Sequence, residues 1–448
     1  MELTWIDVIV TLLRCVFAVV FVMNIVPLLI WAERKGAAYI QDRPGPNRAH
    51  ILGIRAAGLV HTLPDVVKLI TKEDIIPDHV ERRFWFIAPV IAMSIALMTF
   101  AVVPWGDQIL LPAGLFGLEQ AKAVNLMVAD IDGGLLYVLA VGSVGVYGIM
   151  LAGWASNNKF SLLGGLRSSA QMVSYELSMG LAVVAMFLCY GSVQLDEIVI
   201  KQSGNILNWG VFQGGLVGLI AFVLFWTSVF AETNRTPFDL PEGEAELVAG
   251  YHVEYSSLRF ALFFMAEYAH MIVGSAVTAT LFFGGYNFPF ITGAMIRQNV
   301  DLVLMVLGVL GAPAFFLFAA IAWGRRQRAF YKVLKADDIR HREPIFFTVV
   351  WGALGLGHLA IAGLGAAKIV SGFALGPEIV AFLIHTNVLV AKVLIGCWIM
   401  IWARWTLPRF RYDQLMNLGW KMMLPVAVAN VMFAGVMVAL RPYFPWNS

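Results

Sequence analysis

Ten stretches of this chain stay apolar for about twenty residues, the length at which a helix crosses ~30 Å of hydrocarbon. They fall near residues 5–31, 84–103, 134–153, 171–190, 209–230, 259–284, 300–323, 345–369, 379–402 and 421–440. Backbone amides inside a bilayer must find partners within the segment, so spans of this kind are helical. The expected fold is an all-α polytopic membrane protein with about ten transmembrane helices. With 60% hydrophobic residues, residues 1–448 read as a single integral membrane domain rather than two or three soluble ones. The start of the chain lacks a basic stretch and a small-residue cleavage site, so Trp5 to Trp31 reads as a retained span.

Lysines and arginines set the orientation. With the N-terminus outside (periplasmic), the cytoplasmic segments hold 24 of them: nine from Arg34 to Arg83, two at Lys159 and Arg167, two at Arg235 and Arg259, seven from Arg325 to Arg342, and four from Arg404 to Lys421. The external segments hold five, Lys122, Lys201, Arg297, Lys368 and Arg441. That imbalance decides the topology. A net charge of +2 gives no footprint for nucleic acid, since the basic residues are topological. Cys15, Cys189 and Cys397 lie far apart in apolar runs, with no Cys/His ligand spacing, so no metal or iron–sulfur site is expected from this chain alone.

One expected cytoplasmic loop breaks the charge pattern. Residues 231–257 include AETNRTPFDLPEGEAELVAGYHVEY, with Glu232, Asp239, Glu242, Glu244, Glu246 and Glu254 against the single base Arg235. A solvated face is the plain alternative for any charge run. Here Pro237, Pro241 and the interleaved Phe238, Leu240, Leu247 and Val248 favour a segment folded against protein. Glu242 and Glu246 share a face if their segment is helical, and Glu244 then points elsewhere. Residues 33–83 form the other unusual segment, where residues 58–72 have the apolar spacing of an amphipathic helix lying in the interface. Its plain alternative is a basic loop that binds lipid headgroups.

Several charges fall inside spans. Glu176, nine residues past Arg167, lies ~13 Å deeper on an ideal helix. Glu267 lies eight residues past Arg259, and His270 follows on the same face. Lys392 is twelve residues before Arg404, ~18 Å along the helix and near the midplane. Any one of these can simply pair with a neighbouring helix, and Lys392 and His270 are read as structural or relay groups. As a set, two deep acids beneath an acidic loop suggest a coupled chain of proton sites.

The wording of AETNRTPFDLPEGEAELVAGY, GWASNNKFSLLGGLRSSAQMVSYE, the ERK and RPGPNR pair and LPRFRYDQLMNLGWKMMLP resembles one membrane-subunit family of the proton-pumping NADH:quinone oxidoreductases (complex I), whose mitochondrial member is subunit 1. The likeness runs in order from about residue 5 to 290 and again from about 380 to 440. The resemblance implies an eight-helix bacterial inner-membrane subunit that closes the quinone chamber, between peripheral-arm quinone-site subunits and membrane-arm subunits. It implies quinone as a substrate at that interface, with NADH, FMN and iron–sulfur clusters in partner subunits. It implies that Glu176, Glu232, Asp239, Glu242, Glu244, Glu246 and Glu267 couple protons. Glu33, Arg34, Asp65, Lys68, Arg235 and Phe238 are then expected along the quinone passage.

The chain departs from the family pattern in three places. His61-Thr62-Leu63-Pro64-Asp65 stands where the family has QPxAD, about five extra residues precede it after RPGPNR, and residues 297–378 supply two extra spans as an inserted helical hairpin. Lateral packing against a neighbouring subunit is the simplest reading of that hairpin. Alternative functions are the homologous subunit of an energy-converting hydrogenase or another quinone-linked dehydrogenase, and a stand-alone secondary transporter; the lack of an internal repeat counts against the last.

Overall fold

The computed structural model describes residues 5–112, 120–241, 243–325, 342–373 and 375–440. The first helix, α1 (Trp5–Ile40), runs past its expected end. The sequence after Trp31 keeps good helix formers and has no proline before Pro44. Glu33, Arg34 and Lys35 therefore sit on the last turns of a helix rather than in a loop. The expected amphipathic helix is α2 (Thr62–Thr71), with Leu63, Val66, Val67 and Ile70 exposed along one stripe.

The bundle continues through α3 (Arg82–Thr99), α4 (Gly134–Ala155) and α5 (Lys159–Tyr190), with a short antiparallel pair of strands, β1 (Ile109–Leu111) and β2 (Lys122–Val124), after α3. At its start α5 is capped by the Asn158 side chain, which accepts from the Phe160 amide at 2.9 Å. It ends at Gly191, whose φ of 65° suits glycine. After α6 (Leu195–Lys201), α7 (Leu216–Glu232) begins later than the expected 209, because Gly214 and Gly215 turn the chain at φ values of 61° and 63°. The short α8 (Glu244–Leu247) lies in the acidic loop, and α9 (Ser257–Phe282) leads to α10 (Gly293–Gln298).

Then come α11 (Val300–Arg325), α12 (Glu343–Ala366), α13 (Gly376–Thr406), α14 (Tyr412–Asn417) and α15 (Leu424–Leu440). Among the described residues, nine helical spans are long and apolar enough to cross a membrane, and the seventeen-residue α7 is the shorter tenth. The chain is an all-α multi-pass membrane protein.

The main core joins α5, α7, α9 and α13 through Tyr175, Met186, Phe225, Met271, Phe282 and Val393. Lipid is as apolar as leucine, so close packing holds such helices together, helped by small residues. Gly153 on α4 and Gly165 on α5 meet backbone to backbone, and a side chain at Gly164 would strike Gly250. The hairpin uses the same device: Gly308 and Gly311 of α11 lie under His358 of α12, and Gly365 lies under the Asp301 carbonyl. The mixed-charge connection from 326 to 341 lies outside the described residues.

Candidate functional site

Where α1, α9 and the acidic loop meet, one arginine is almost wholly enclosed. Arg235 is 1% exposed. Its Nη1 donates to Glu33 Oε2 at 3.0 Å and its Nε lies 2.6 Å from Glu267 Oε1. The guanidinium stacks over the Tyr268 ring at 4.2 Å. Burial opposes its charge, but Glu267, Tyr268 and Glu33 outweigh burial and hold the group well above its ordinary range. Arg235 is thus a fixed cation shared by two carboxylates from different helices.

Glu33 is the hub. Besides Arg235, it accepts from the Tyr268 hydroxyl at 2.7 Å and from Arg404 Nη1 of α13 at 2.5 Å. The next residue along α1, Arg34, pairs with Asp65 of α2. Two adjacent positions therefore tie α1 to α9 and α13 on one side and to the amphipathic helix on the other.

From Glu267 an acidic line continues into the bundle. One cavity of about 30 Å³ is bordered by Glu267, His270, Glu232 and Thr233, and a second of about 30 Å³ by Glu232, Thr233, His270 and Gly142. Each has room for a water molecule between polar groups. A side chain on Gly142 would come within 3.1 Å of Glu232 Oε1, and the neighbouring Ser143 hydroxyl donates to Glu176. Consecutive small residues of α4 thus bring Glu232 and Glu176 to one spot.

Asp239, Glu246 and Glu254 of the loop point elsewhere. Asp239 Oδ2 accepts from Arg409 Nη2 at 2.5 Å; burial pushes its carboxyl above the usual range although Arg409 pulls it down. Glu246 pairs with Arg167 at 2.6 Å, and Glu254 accepts from Asn158 at 2.7 Å. Glu242 lies outside the described residues, as does the side chain of Glu244. Phe238 is a core anchor between Tyr175 and Phe410, at ring distances of 5.3 and 5.5 Å. Lys68 is exposed on α2. Among the described residues, no group of three His, Cys, Asp or Glu side chains is gathered as a metal ion needs.

The match to known proteins is nearly full-length. The NADH dehydrogenase family model matches residues 13–435. The chain belongs to the NADH dehydrogenase family.

Its relatives in that family include an H subunit of the NADH-quinone oxidoreductase of Solibacter usitatus, 42% identical over 424 residues, 94% of this chain and 95% of that protein. The H subunit of the Leptospira biflexa NADH-quinone oxidoreductase is 41% identical over 405 residues, covering 90% and 88%. NADH-quinone oxidoreductase subunit 8 of Rhodothermus marinus is 40% identical over 415 residues, 92% of each. Coverage this even means that these relatives are close to this chain in length.

In this member of the NADH dehydrogenase family, sequence reading passed over four site residues. Tyr268 and Arg404 complete the shell of Glu33, and Arg409 holds Asp239. Gln171, fully buried on α5, reaches the Ala231 carbonyl at 2.7 Å, the Phe238 carbonyl at 2.9 Å and Asn234 Oδ1 at 3.2 Å, which clamps the start of the acidic loop. A glutamine at the first position of the expected span 171–190 was the available signal. Lys392 stands apart from the acidic line: its ammonium donates to the Phe283, Gly285 and Asn287 carbonyls at 2.7, 2.7 and 2.9 Å. Three donors meet three acceptors just beyond the end of α9, where a cation complements the helix dipole.

Proposed function

We propose that the chain is the membrane subunit of a bacterial inner-membrane NADH:quinone oxidoreductase that closes the quinone chamber and couples quinone reduction to proton translocation. The observation that carries this reading is the Glu33–Arg235–Glu267 cluster, continuous through two water-sized cavities with Glu232 and His270, with Glu176 held beside Glu232 by Ser143 next to Gly142. In this reading the N-terminus faces the periplasm, and the end of the bundle that carries the acidic loop faces the cytoplasm and the peripheral-arm subunits. NADH, FMN and the iron–sulfur clusters belong to partner subunits; the three cysteines here lie on α1, α5 and α13.

Reduction of a quinone to a quinol takes two electrons and two protons. The electrons arrive from partner subunits, and the contribution of this chain is electrostatic. Two unit charges 4 Å apart interact by about 4 kcal/mol at an effective dielectric constant of about 20, several times thermal energy. A charge change beside Glu33 or Arg34 therefore alters how Arg235 is shared between Glu33 and Glu267. A carboxylate that loses its share of the cation binds a proton more readily. Glu267 then exchanges protons with Glu232 through water and His270, and Glu232 acts on Glu176 across Gly142 and Ser143. Because the cluster is tied to α1, α9 and α13, the change at one end biases the arrangement at the other.

Purification through a tag on this chain in mild detergent tests the assignment. Co-purification of flavin and iron–sulfur subunits with inhibitor-sensitive NADH:quinone reduction is the expected result. A chain recovered alone, stable and active in liposome uptake would contradict it in favour of a transporter.

A further inference from the structure

Two regions set apart in the sequence, the residues after RPGPNR and the hairpin of α11 and α12, meet in space. Glu343, at the start of α12, is 4% exposed and forms an ion pair with Lys35 of α1, itself 2% exposed. The other Glu343 oxygen accepts from the Tyr39 hydroxyl at 2.8 Å. Lys35 also donates to the Pro44 carbonyl at 2.5 Å, which fastens the PGPN turn to the same ammonium. A few residues on, Ala56, Ala57 and Gly58 have φ values of 45°, 51° and 89°. Two alanines in that region are strained and persist only where the surroundings hold them.

The surroundings do so from three sides. Trp31 of α1 donates to the Ala57 carbonyl at 3.1 Å. The Pro46 carbonyl sits so close to Gly58 that a Cβ would meet it at 1.7 Å. The third side is α12, which packs against the turn Ala56–His61. That turn leads directly into α2, where Asp65 holds Arg34, one residue from Glu33 and one from Lys35.

We propose that the hairpin is a brace for residues 33–71, with Glu343 as a positioning residue for the quinone passage; the second half of this statement rests on the function proposed above. Lipid contact alone would not require a buried carboxylate that reaches back to α1. An enclosed ion pair of this kind holds one register of the parts it joins, because pulling it apart would leave an uncompensated buried charge.

The experiment compares the assembled complex carrying Glu343→Gln with the wild type by amide hydrogen exchange and by kinetics with a short-chain quinone. The expected result is faster exchange across 44–61 with α9 and α13 unchanged, and a KM for quinone raised about five-fold with kcat within about two-fold. Tyr39→Phe, which removes one hydrogen bond and leaves the ion pair, is expected to shift both readouts in the same direction by less, and it carries the test if Glu343→Gln does not assemble. Unchanged exchange across 44–61 overturns the brace. Faster exchange with an unchanged KM keeps the brace and overturns the positioning role, which separates its failure from that of the oxidoreductase assignment.

Discussion

Glu33 and Arg235 lie 202 positions apart in the chain and 3.0 Å apart in space, with Tyr268 closing on both. This contact joins the end of the first helix to the acidic loop and makes Arg235 the shared counter-ion of Glu33 and Glu267.

Removing that cation leaves two enclosed carboxylates without their partner. Arg235→Leu is expected to destabilise the site by about 3–5 kcal/mol, the range for breaking a buried pair. Arg235→Lys keeps the charge but cannot serve two carboxylates and stack on Tyr268 at once. Thermal melting of the purified complex should fall for both variants, more for leucine, with quinone reductase activity lost in the leucine variant and reduced in the lysine variant. Wild-type melting in the leucine variant would remove Arg235 from the centre of the site.

Lys392 is expected to be a clamp rather than a relay, since its three donors are spent on three carbonyls beyond α9. Lys392→Met should cost at least about 2 kcal/mol, because hydrogen bonds to charged groups contribute about 1.5–3 kcal/mol each. The readouts are the melting temperature and the ratio of protons moved to electrons passed. A lower melting temperature with an unchanged ratio fits the clamp; a lower ratio at wild-type stability makes Lys392 a relay.

His252 gives the acidic loop a pH-dependent contribution of known sign. Burial pushes the His252 imidazole down to about 4. A depressed folded-state pKa gives stability that is fully present above the ordinary value of 6.5 and is lost as pH falls through about 4, on the order of 3 kcal/mol in all. Asp239 acts in the opposite sense: its raised pKa gives a contribution present at low pH and lost as pH rises through the folded value. Limited proteolysis of residues 231–257 from pH 7 down to 4.5 should show opening at the acid end. His252→Phe, which can keep the edge contacts to Tyr251 and Phe260, should blunt that opening. Identical profiles for the two proteins would assign the pH response to other groups.

Much of this architecture was legible in residue order because length and hydropathy alone specify membrane helices. The acids Glu176 and Glu267 stood out for the same reason, as charges where hydrocarbon disfavours them, and Glu232 as one of the acids crowded into the loop that begins at Ala231. Their partners were not legible. Arg404 meets Glu33 across 371 positions, and that contact depends on the rotation and tilt of α1 and α13, which apolar periodicity leaves open. Lys392 finds backbone carbonyls, which no side-chain pattern reports. Phe238, read in the sequence as an apolar anchor of the acidic loop, packs between Tyr175 and Phe410, contacts that the sequence does not name. The start of α7 moved because Gly214 and Gly215 adopt positive φ, a local choice that hydropathy does not register.

The line from Glu267 through Glu232 to Glu176 is proposed to carry the coupling. Glu176→Gln tests it most directly, since the amide keeps the shape and the contact with Ser143 while removing the titratable group. The measurement is the number of protons moved per NADH oxidised by the assembled complex in proteoliposomes. An intact complex with a reduced ratio is the expected result. An intact complex that pumps at the wild-type ratio would contradict the coupling line and take Glu176 out of the path.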